Sequence, residues 1–457
     1  MNKELKCFKA YDVRGELGPE FNNETCYRIA RAFAQVIGKN KVVVGWDARE
    51  TSPDLSQSII KGLTDEGATV LNIGLAGTEE MYWGTTYFEA CGGIEVTASH
   101  NPINFNGLKM VKSGSQPLDP INDFMKIKQI AEKNEFKGSK LGGQEFDKSK
   151  ELKKAYTKKL LTFIDVNLLP ELRIMVNSGN GAAGPTFDEL ETLIASSTNK
   201  LSFEKVHHIP DSSFPNGIPN PLLSKNHKDN KDLTIEAGAN LGIAFDGDFD
   251  RCFFFDENGN FIPGQYIVGL LAEIFLLKEP GAKIIHDPRV IWNIQNVVKK
   301  NGGIAIKSKT GHAFIKQSMR DNSALYGGEI SAHHYFRDFA YCDSGMLPWL
   351  LIIELMGRTG KTLSELVAVQ KVMFPSSGEI NFELDDPGYS IEKVLGHYAD
   401  EFLSKEEFDG LTLTFDAWRL NLRCSNTEPL VRLNIESRGD SDLIDQKLAE
   451  IKEILHS

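Results

Sequence analysis

The stretch Lys41-Val42-Val43-Val44-Gly45-Trp46 decides the fold class, because it is a short apolar run between two helical patterns. An amphipathic stretch spans residues 26–37 before it, a helical pattern spans residues 55–66 after it, and another apolar run follows at residues 69–73. Short β-branched strands that alternate with helices are typical of βαβ units with a buried, largely parallel sheet. The N-terminal part is therefore predicted to be α/β.

The same alternation recurs twice further along the chain. A strand is predicted at 172–177 before a glycine-rich turn at 178–184, with a helix at 185–194 and a strand at 241–245; a third round has helices at 264–277 and 291–300 and strands at 283–286 and 303–306. From about residue 374, strand-like runs at 411–415, 418–422 and 431–436 precede a helix at 443–454. The pattern predicts three similar mixed α/β domains and a smaller C-terminal α+β domain, with boundaries at 1–150, 151–255, 256–373 and 374–457. Polar or turn-rich segments at 133–150 and 375–378 are expected to be linkers.

Composition narrows the class of partner. The chain has 457 residues, and 51 Lys and Arg against 63 Asp and Glu give a net charge of -12, which disfavours nucleic acid or an anionic membrane as a partner. The N-terminus is charged, and no uninterrupted apolar run reaches the ~20 residues of a membrane span, so a cytoplasmic protein is expected. The cysteines are scattered without zinc-like spacing and are predicted to be free thiols: Cys7, Cys26, Cys91, Cys252, Cys342 and Cys424.

A candidate nucleophile lies in the segment Thr97-Ala98-Ser99-His100-Asn101-Pro102, directly after an apolar run. The Asn-Pro turn exposes a hydroxyl at the strand end and holds it in one geometry. A turn or helix-capping serine beside a surface histidine is the alternative, and this segment by itself does not exclude it.

A candidate metal site lies in the segment Asp246-Gly247-Asp248-Phe249-Asp250-Arg251, directly after a predicted strand. Carboxylates at every second position beyond a strand end can converge on one hard divalent cation. An EF-hand also has this spacing, but its sixth position requires glycine and here holds Arg251, and the run at 252–255 is typical of a strand. Three close acids without a cation would repel one another, so a metal site is favoured over a solvated acidic turn.

Two further segments carry groups suited to a sugar phosphate. Glu329 and Ser331, in a loop entered by Gly327-Gly328, can bind adjacent sugar hydroxyls, although a β-turn with a buried glutamate has the same pattern. Arg423-Cys424-Ser425-Asn426-Thr427-Glu428-Pro429, followed by Arg432, offers a guanidinium, hydroxyls, an amide and turn N–H groups. Such a dense set of donors predicts a phosphate site.

Together these segments resemble the α-D-phosphohexomutase family, and within it the phosphomannomutases. The resemblance runs in order along the chain, from Lys9-Ala10-Tyr11-Asp12-Val13-Arg14-Gly15 to the serine loop, the aspartate loop, Gly328-Glu329-Ile330-Ser331 and the segment 423–429. It implies an active site in a central cleft of the four domains, in a monomer or small homo-oligomer.

The resemblance also implies roles for individual residues. Ser99 is the expected phosphoryl carrier, and an oxygen of its phosphorylated form is expected to share Mg²⁺ with Asp246, Asp248 and Asp250. Arg251 is expected to neutralise charge in the transition state, and His100, Lys109 and Arg14 are unranked candidates for proton transfer. Substrate contacts are expected from Tyr11, Thr310, Gly311, His312, Glu329, Ser331, His333, Arg423, Ser425, Asn426 and Thr427.

The implied reaction interconverts mannose 1-phosphate and mannose 6-phosphate through a hexose 1,6-bisphosphate, which also serves as activator, in the supply of GDP-mannose. Phe249 and Ala332 stand where other branches of the family carry glycine, and both look like the bacterial phosphomannomutase form. A glucose or glucosamine phosphate mutase of the same family is an alternative. A non-catalytic paralogue that binds sugar phosphate is an alternative from a different class.

Overall fold

The computed structural model of the chain describes residues 4–136, 142–424 and 430–456. The chain divides into two compact units. The first comprises Met1–Phe261 with His333–Gly360, and the second comprises Ile262–Ala332 with Lys361–Ser457. All six cysteines are free thiols.

The first unit begins with a seven-stranded mixed sheet. Its central strands are parallel, whereas the serine-bearing edge is antiparallel, and the spatial order is Val13–Glu16, Phe105–Lys112, Gly92–Val96, Lys41–Trp46, Thr69–Leu75 and Gln144–Asp147, with Gln116–Pro117 beside Phe105–Lys112. Its helices are Asn23–Val36, Ser52–Asp65, Thr78–Tyr87, Met125–Lys133 and Ser149–Leu161. Val42 and Val44 are fully buried in the core beside helix residues such as Phe33 and Ile59, which explains the continuous apolar run in the sequence.

A second sheet in this unit carries the aspartate loop. Leu172–Asn177 lies parallel to both Leu201–Val206 and Leu241–Phe245, and Leu241–Phe245 pairs antiparallel with Cys252–Phe255. The helices of this part are Ala183–Ala195, His227–Glu236 and Met346–Thr359, and a short antiparallel pair is formed by His334–Phe336 and Cys342–Asp343. The strand Phe261–Ile262 stands where the chain passes from one unit to the next.

The second unit combines parallel strands with an antiparallel sheet. Lys283–His286 lies between Ile304–Lys307 and Tyr326–Gly328, parallel to both. The antiparallel sheet has the order Ser376–Glu383, Leu430–Ser437, Trp418–Cys424, Leu411–Thr414 and Ser404–Glu406. The helices of this unit are Gly264–Lys278, Trp292–Lys300, His312–Asn322, Leu363–Met373, Pro387–His397 and Ser441–His456.

Both segments predicted as linkers contain regular structure, which the sequence patterns did not predict. Gln144–Asp147 is an edge strand that pairs parallel with Thr69–Leu75, and a helix begins at Ser149. Ser376–Glu383 is a strand with a register shift between Ser376 and Glu379. Exposed polar edge strands and bulges resemble linkers in composition, because few of their side chains are buried. The four domain ranges stay a prediction.

Across the described ranges, every helix is too short or too polar to cross a bilayer.

Candidate active site

Ser99 lies just beyond the carboxyl end of the strand Gly92–Val96, in a tight turn. Its φ is 48°, a left-handed conformation that costs free energy for a residue with a β-carbon and persists where the surroundings enforce it. The side chain is buried, and its Oγ donates to Asp246 Oδ2 at 2.8 Å. His100 Nδ1 lies 3.1 Å from the same Oγ. The serine predicted as phosphoryl carrier therefore faces the predicted metal loop.

The serine loop is held by two buried residues that the sequence analysis missed. Arg49 donates from its guanidinium to the carbonyl oxygens of Ser99 (3.0 Å) and Pro102 (2.9 Å), among others. Thr97 Oγ1 donates to Asp47 Oδ2 at 2.7 Å and accepts from the Ser99 N–H at 2.8 Å. Asp47 and Arg49 directly follow the strand Lys41–Trp46, next to the serine strand. That position at the carboxyl end of a neighbouring parallel strand was the signal that could have found them.

The aspartate loop joins the antiparallel strands Leu241–Phe245 and Cys252–Phe255. Asp246, Asp248 and Asp250 are buried, and one oxygen from each lies within 4.8 Å of the others. A β-carbon on Gly247 would lie 2.6 Å from the Ser99 carbonyl oxygen. The loop can therefore approach the serine closely because position 247 is a glycine.

A buried lysine and a threonine hydroxyl donate hydrogen bonds to these carboxylates. Lys109 Nζ donates to Asp248 Oδ2 at 2.7 Å and also to Asp250 Oδ2. Thr78 Oγ1, a further contact absent from the sequence analysis, donates to Asp248 Oδ2 at 2.6 Å.

Arg251 contacts both Asp246 and His100. Its Nε and one terminal nitrogen donate to Asp246 Oδ2 at 2.9 and 2.7 Å, and it also contacts His100 Nδ1. Arg14 lies at the rim of the loop and donates to Asn101 Oδ1 at 2.9 Å. The catalytic residues predicted in this unit thus lie on or against the serine and aspartate loops.

Burial and charge shift the pKa values of these groups. Burial alone would lower the pKa of Lys109, but the charges of Asp248 and Asp250 outweigh it and raise that pKa. Burial and the charge of Asp248 raise the pKa of Asp250. Burial together with Arg251 and Arg14 lowers the pKa of His100 well below its ordinary value, so this imidazole is neutral near pH 7.

The aspartate cluster fits a divalent cation. Among the described residues, no hydrogen-bond donor reaches Oδ1 of Asp248 or Oδ1 of Asp250, although both atoms are buried. Buried carboxylate oxygens that are left without donors are the ligands a hard cation requires. Asp250 also groups with His333 and Asp343 in a second set of potential ligands, and His333 Nε2 lies 3.9 Å from Asp250 Oδ1.

The second unit brings together the predicted sugar and phosphate residues. Glu329 is buried, and its Oε1 accepts from the Gly311 N–H at 2.9 Å. Arg289, which the sequence analysis missed, lies 3.9 Å from the same oxygen and 3.4 Å from Ser331 Oγ. Thr310 donates its N–H to Asp409 Oδ2 at 2.9 Å, and Arg423 lies 4.0 Å from that atom.

The remaining predicted substrate residues are His312, Tyr11 and three residues that lie outside the described ranges. His312 begins the helix His312–Asn322, and Tyr11 is an exposed residue just before the strand Val13–Glu16. Ser425, Asn426 and Thr427 fall outside the described residues.

Comparison with known proteins identifies matches for each part of the chain. Residues 5–138, 154–259 and 263–372 match the families described as phosphoglucomutase/phosphomannomutase α/β/α domains I, II and III. Residues 379–454 match the C-terminal domain of the same group. The predicted fold class, three similar mixed α/β domains and a smaller C-terminal domain, is confirmed.

Similar proteins align over nearly the whole chain. A "Phosphomannomutase" of Salmonella montevideo is 51% identical over 453 residues, covering 99% of both chains, and one of Escherichia coli K12 is 50% identical over 454 residues. A "Phosphohexose mutases" protein of Xanthomonas campestris is 46% identical over 99% of each chain.

Solved structures agree in fold. A phosphoglucomutase/phosphomannomutase family protein of Burkholderia thailandensis has a TM-score of 0.84 at 27% identity, covering 98% of this chain and 97% of its own. Parafusin, a phosphoglucomutase from Paramecium, has a TM-score of 0.78 at 17% identity, with 100% of this chain and 95% of that one covered. With a serine facing an acidic cluster, four matching domains and full-length relatives, this chain belongs to the phosphoglucomutase/phosphomannomutase family.

Proposed function

We propose that the chain is a phosphomannomutase, which interconverts mannose 1-phosphate and mannose 6-phosphate through a phosphorylated Ser99. The observation that carries the proposal is the contact of Ser99 Oγ with Asp246, one of three clustered buried aspartates. A serine that only caps a turn has no need of such a neighbour. The same pairing argues against a protein that merely binds sugar phosphate.

We infer that Mg²⁺ is the metal held by Asp246, Asp248 and Asp250 when Ser99 carries phosphate. A phosphoserine dianion beside three carboxylates would be strongly repelled, and a divalent cation removes that repulsion and polarises the phosphoryl group. Lys109 holds one oxygen of Asp248 and one of Asp250, while the opposite oxygen of each has no donor among the described residues. The Oδ1 atoms of Asp248 and Asp250 are therefore available to bind a cation.

The proposed transfer breaks one P–O bond for each one formed. A hydroxyl of the hexose phosphate attacks the phosphorus of phospho-Ser99, the bond from phosphorus to Ser99 Oγ breaks, and the sugar becomes a 1,6-bisphosphate. The sugar hydroxyl gives up its proton to a base, and Ser99 Oγ takes up a proton as its bond to phosphorus breaks; His100, whose Nδ1 lies 3.1 Å from Ser99 Oγ, is a candidate for this exchange at the serine. Return of the other phosphate to Ser99 completes the isomerisation, and a free bisphosphate can recharge an enzyme that has lost its phosphate.

Arg251 suits a role in stabilising the transition state. Its guanidinium is buried and fixed by Asp246, close to His100 and thus to the serine loop. A positive charge held there in advance stabilises the negative charge of the phosphoryl group without reorganisation.

Mannose is the proposed sugar because full-length relatives at about half identity bear the name phosphomannomutase. In the second unit, Glu329 and Ser331 offer an acceptor and a hydroxyl for the sugar, and Arg423 begins the proposed phosphate segment. Glucose 1-phosphate differs from the mannose compound by one hydroxyl configuration, so partial use of glucose is expected.

The test is conversion of mannose 1-phosphate to mannose 6-phosphate with Mg²⁺ and a trace of hexose 1,6-bisphosphate. The wild type should turn over, and Ser99→Ala should lose on the order of a thousandfold or more in kcat. Chelation of divalent cations should abolish the wild-type rate, and added Mg²⁺ should restore it.

Ser213→Ala is a matched control, because Ser213 is an exposed loop serine bonded to Asp211 in the same unit. Glucose 1-phosphate and glucosamine 1-phosphate run in parallel set the sugar preference. If only glucosamine 1-phosphate is converted, the proposed substrate changes from mannose phosphate to glucosamine phosphate. An unchanged rate in Ser99→Ala would end the phosphoserine mechanism.

A further inference from the structure

Glu379 lies at the centre of an arginine cluster in the second unit. Arg289 donates to Glu379 Oε2 at 3.1 Å, Arg423 lies 3.5 Å from the same oxygen, and Arg432 lies 3.8 Å from Oε1. Arg423 opens the segment proposed for phosphate binding. One carboxylate thus meets three guanidinium groups that a phosphate would also attract.

The antiparallel sheet explains why these groups converge. Arg423 and Arg432 stand directly opposite each other on paired strands, and Glu379 stands opposite Asn434, two residues from Arg432 on the same strand. Side chains at these positions point to one face of the sheet. Like charges directly opposite are destabilising, so the two arginines need a negative group between them.

Arg289 reaches the cluster from the loop after the strand Lys283–His286 and is rigidly held. The buried Arg419 donates to the Arg289 carbonyl oxygen at 2.8 Å and is itself paired with Glu436 at 2.8 Å. The side chains of Arg423 and Arg432 are 16% and 32% exposed, against 4% for Arg289. Arg423 and Arg432 are therefore the more accessible to an incoming anion.

We propose that Glu379 is a positioning and charge-balancing residue that weakens phosphate binding by Arg423 and Arg432 enough for the sugar phosphate to leave and turn around. This inference rests on the proposed mutase function. A mutase that works through a 1,6-bisphosphate must release one phosphate and bind the other within each turnover. An arginine pair without a competing carboxylate would hold a phosphate dianion too long.

The two substitutions Glu379→Gln and Glu379→Asp separate charge from shape. Glu379→Gln keeps the size and removes the charge, so it should tighten inorganic phosphate binding by about tenfold, lower KM and lower kcat. Glu379→Asp keeps the charge on a shorter side chain, so its phosphate affinity and turnover should stay closer to the wild type than those of Glu379→Gln. Glu383→Gln, an exposed carboxylate on the same strand and face, is the matched control.

The measurements are calorimetric titration with inorganic phosphate and steady-state kinetics with mannose 1-phosphate, with thermal unfolding to verify folding. Weaker phosphate binding and a raised KM in both Glu379 variants would mean that Glu379 is merely a structural anchor for the arginines, and would overturn the inference. Equal affinity in Glu379→Gln and wild type would overturn it as well. The phosphate titration does not depend on the sugar, so tighter binding by Glu379→Gln in a chain that converts no hexose phosphate would contradict only the mutase assignment.

Discussion

Arg49 shapes the serine loop through its planar fork of donors. It donates to backbone carbonyl oxygens of the loop, including those of Ser99 and Pro102, and it is buried. A lysine carries the same charge but cannot reach several carbonyl groups in fixed directions. Arg49→Lys should therefore lower kcat roughly 10- to 100-fold by displacing the Ser99 hydroxyl, and lower stability by about 2–4 kcal/mol.

Arg173→Lys is the control for this prediction, because Arg173 forms a surface pair with Glu204 in which both side chains are 51% exposed. Turnover with mannose 1-phosphate and thermal unfolding measure the two effects. Normal kcat in Arg49→Lys would show that the loop keeps its shape without the fork.

Glu95 is a buried carboxyl group that costs the fold stability at neutral pH. It lies opposite Lys109 on the neighbouring strand, and among the described residues no donor reaches either carboxylate oxygen. Burial first, and then the charges of Asp47 and Asp248, raise the pKa of Glu95 well above its ordinary value. Glu95→Gln, which keeps the shape without the charge, should be at least as stable as the wild type.

The sign of the pH dependence follows from the raised pKa. Below the unfolded pKa of about 4.3, Glu95 is protonated in both states; as the pH rises, the unfolded chain ionises first, and the wild type loses stability until the folded pKa is passed. The melting temperature of Glu95→Gln relative to wild type should therefore grow as the pH rises from the unfolded pKa towards neutral. A difference that stays constant over this range would contradict the prediction.

At the scale of elements, the aspartate hairpin depends on its approach to the serine turn. A β-carbon at position 247 would meet the Ser99 carbonyl oxygen at 2.6 Å, so Gly247→Ala must push the two loops apart. It should lower kcat roughly 10- to 100-fold. It should also raise the Mg²⁺ concentration that gives half-maximal activity, because the displaced carboxylates bind the cation less tightly.

A contrasting glycine lies in the helix Pro387–His397, where a β-carbon on Gly396 would meet nothing within 4 Å. Gly396→Ala should raise stability by up to about 1 kcal/mol without changing turnover, because alanine favours helix over glycine. Equal effects of the two substitutions in kinetics and thermal unfolding would contradict the role given to Gly247.

At the scale of the whole molecule, two compact units are expected to unfold in more than one calorimetric transition. The aspartates belong to the first unit, and Arg289, Arg423 and Arg432 belong to the second. Mg²⁺ should raise the free energy of unfolding of the first unit, and inorganic phosphate should raise that of the second. Each increase should be about 2.7 kcal/mol when the ligand is at a hundredfold excess over its Kd. A single transition that both ligands shift equally would contradict independent unfolding of the two units.

Sequence patterns were sufficient where structure is local. The runs at 41–46 and 241–245 are strands with the predicted bounds, and the strand at 252–255 excludes an EF-hand. Patterns were insufficient at the polar edges, where the strands Gln144–Asp147 and Ser376–Glu383 were not predicted. Pairing across an edge depends on a partner strand far along the chain, which composition does not reveal.

The sequence by itself determined the periodicity of the elements and the loops that carry Ser99 and the three aspartates, because both are properties of neighbouring residues. Only the tertiary structure decided which groups meet: Ser99 and Asp246 are 147 positions apart, and Lys109 and Asp248 are 139 apart. The roles of Arg49, Thr78 and Glu379 could not be predicted from the sequence for the same reason. Each acts through a partner that the packing of the sheets brings close. A side chain's environment depends on which strands lie side by side, and that is set when the whole chain buries its apolar surface.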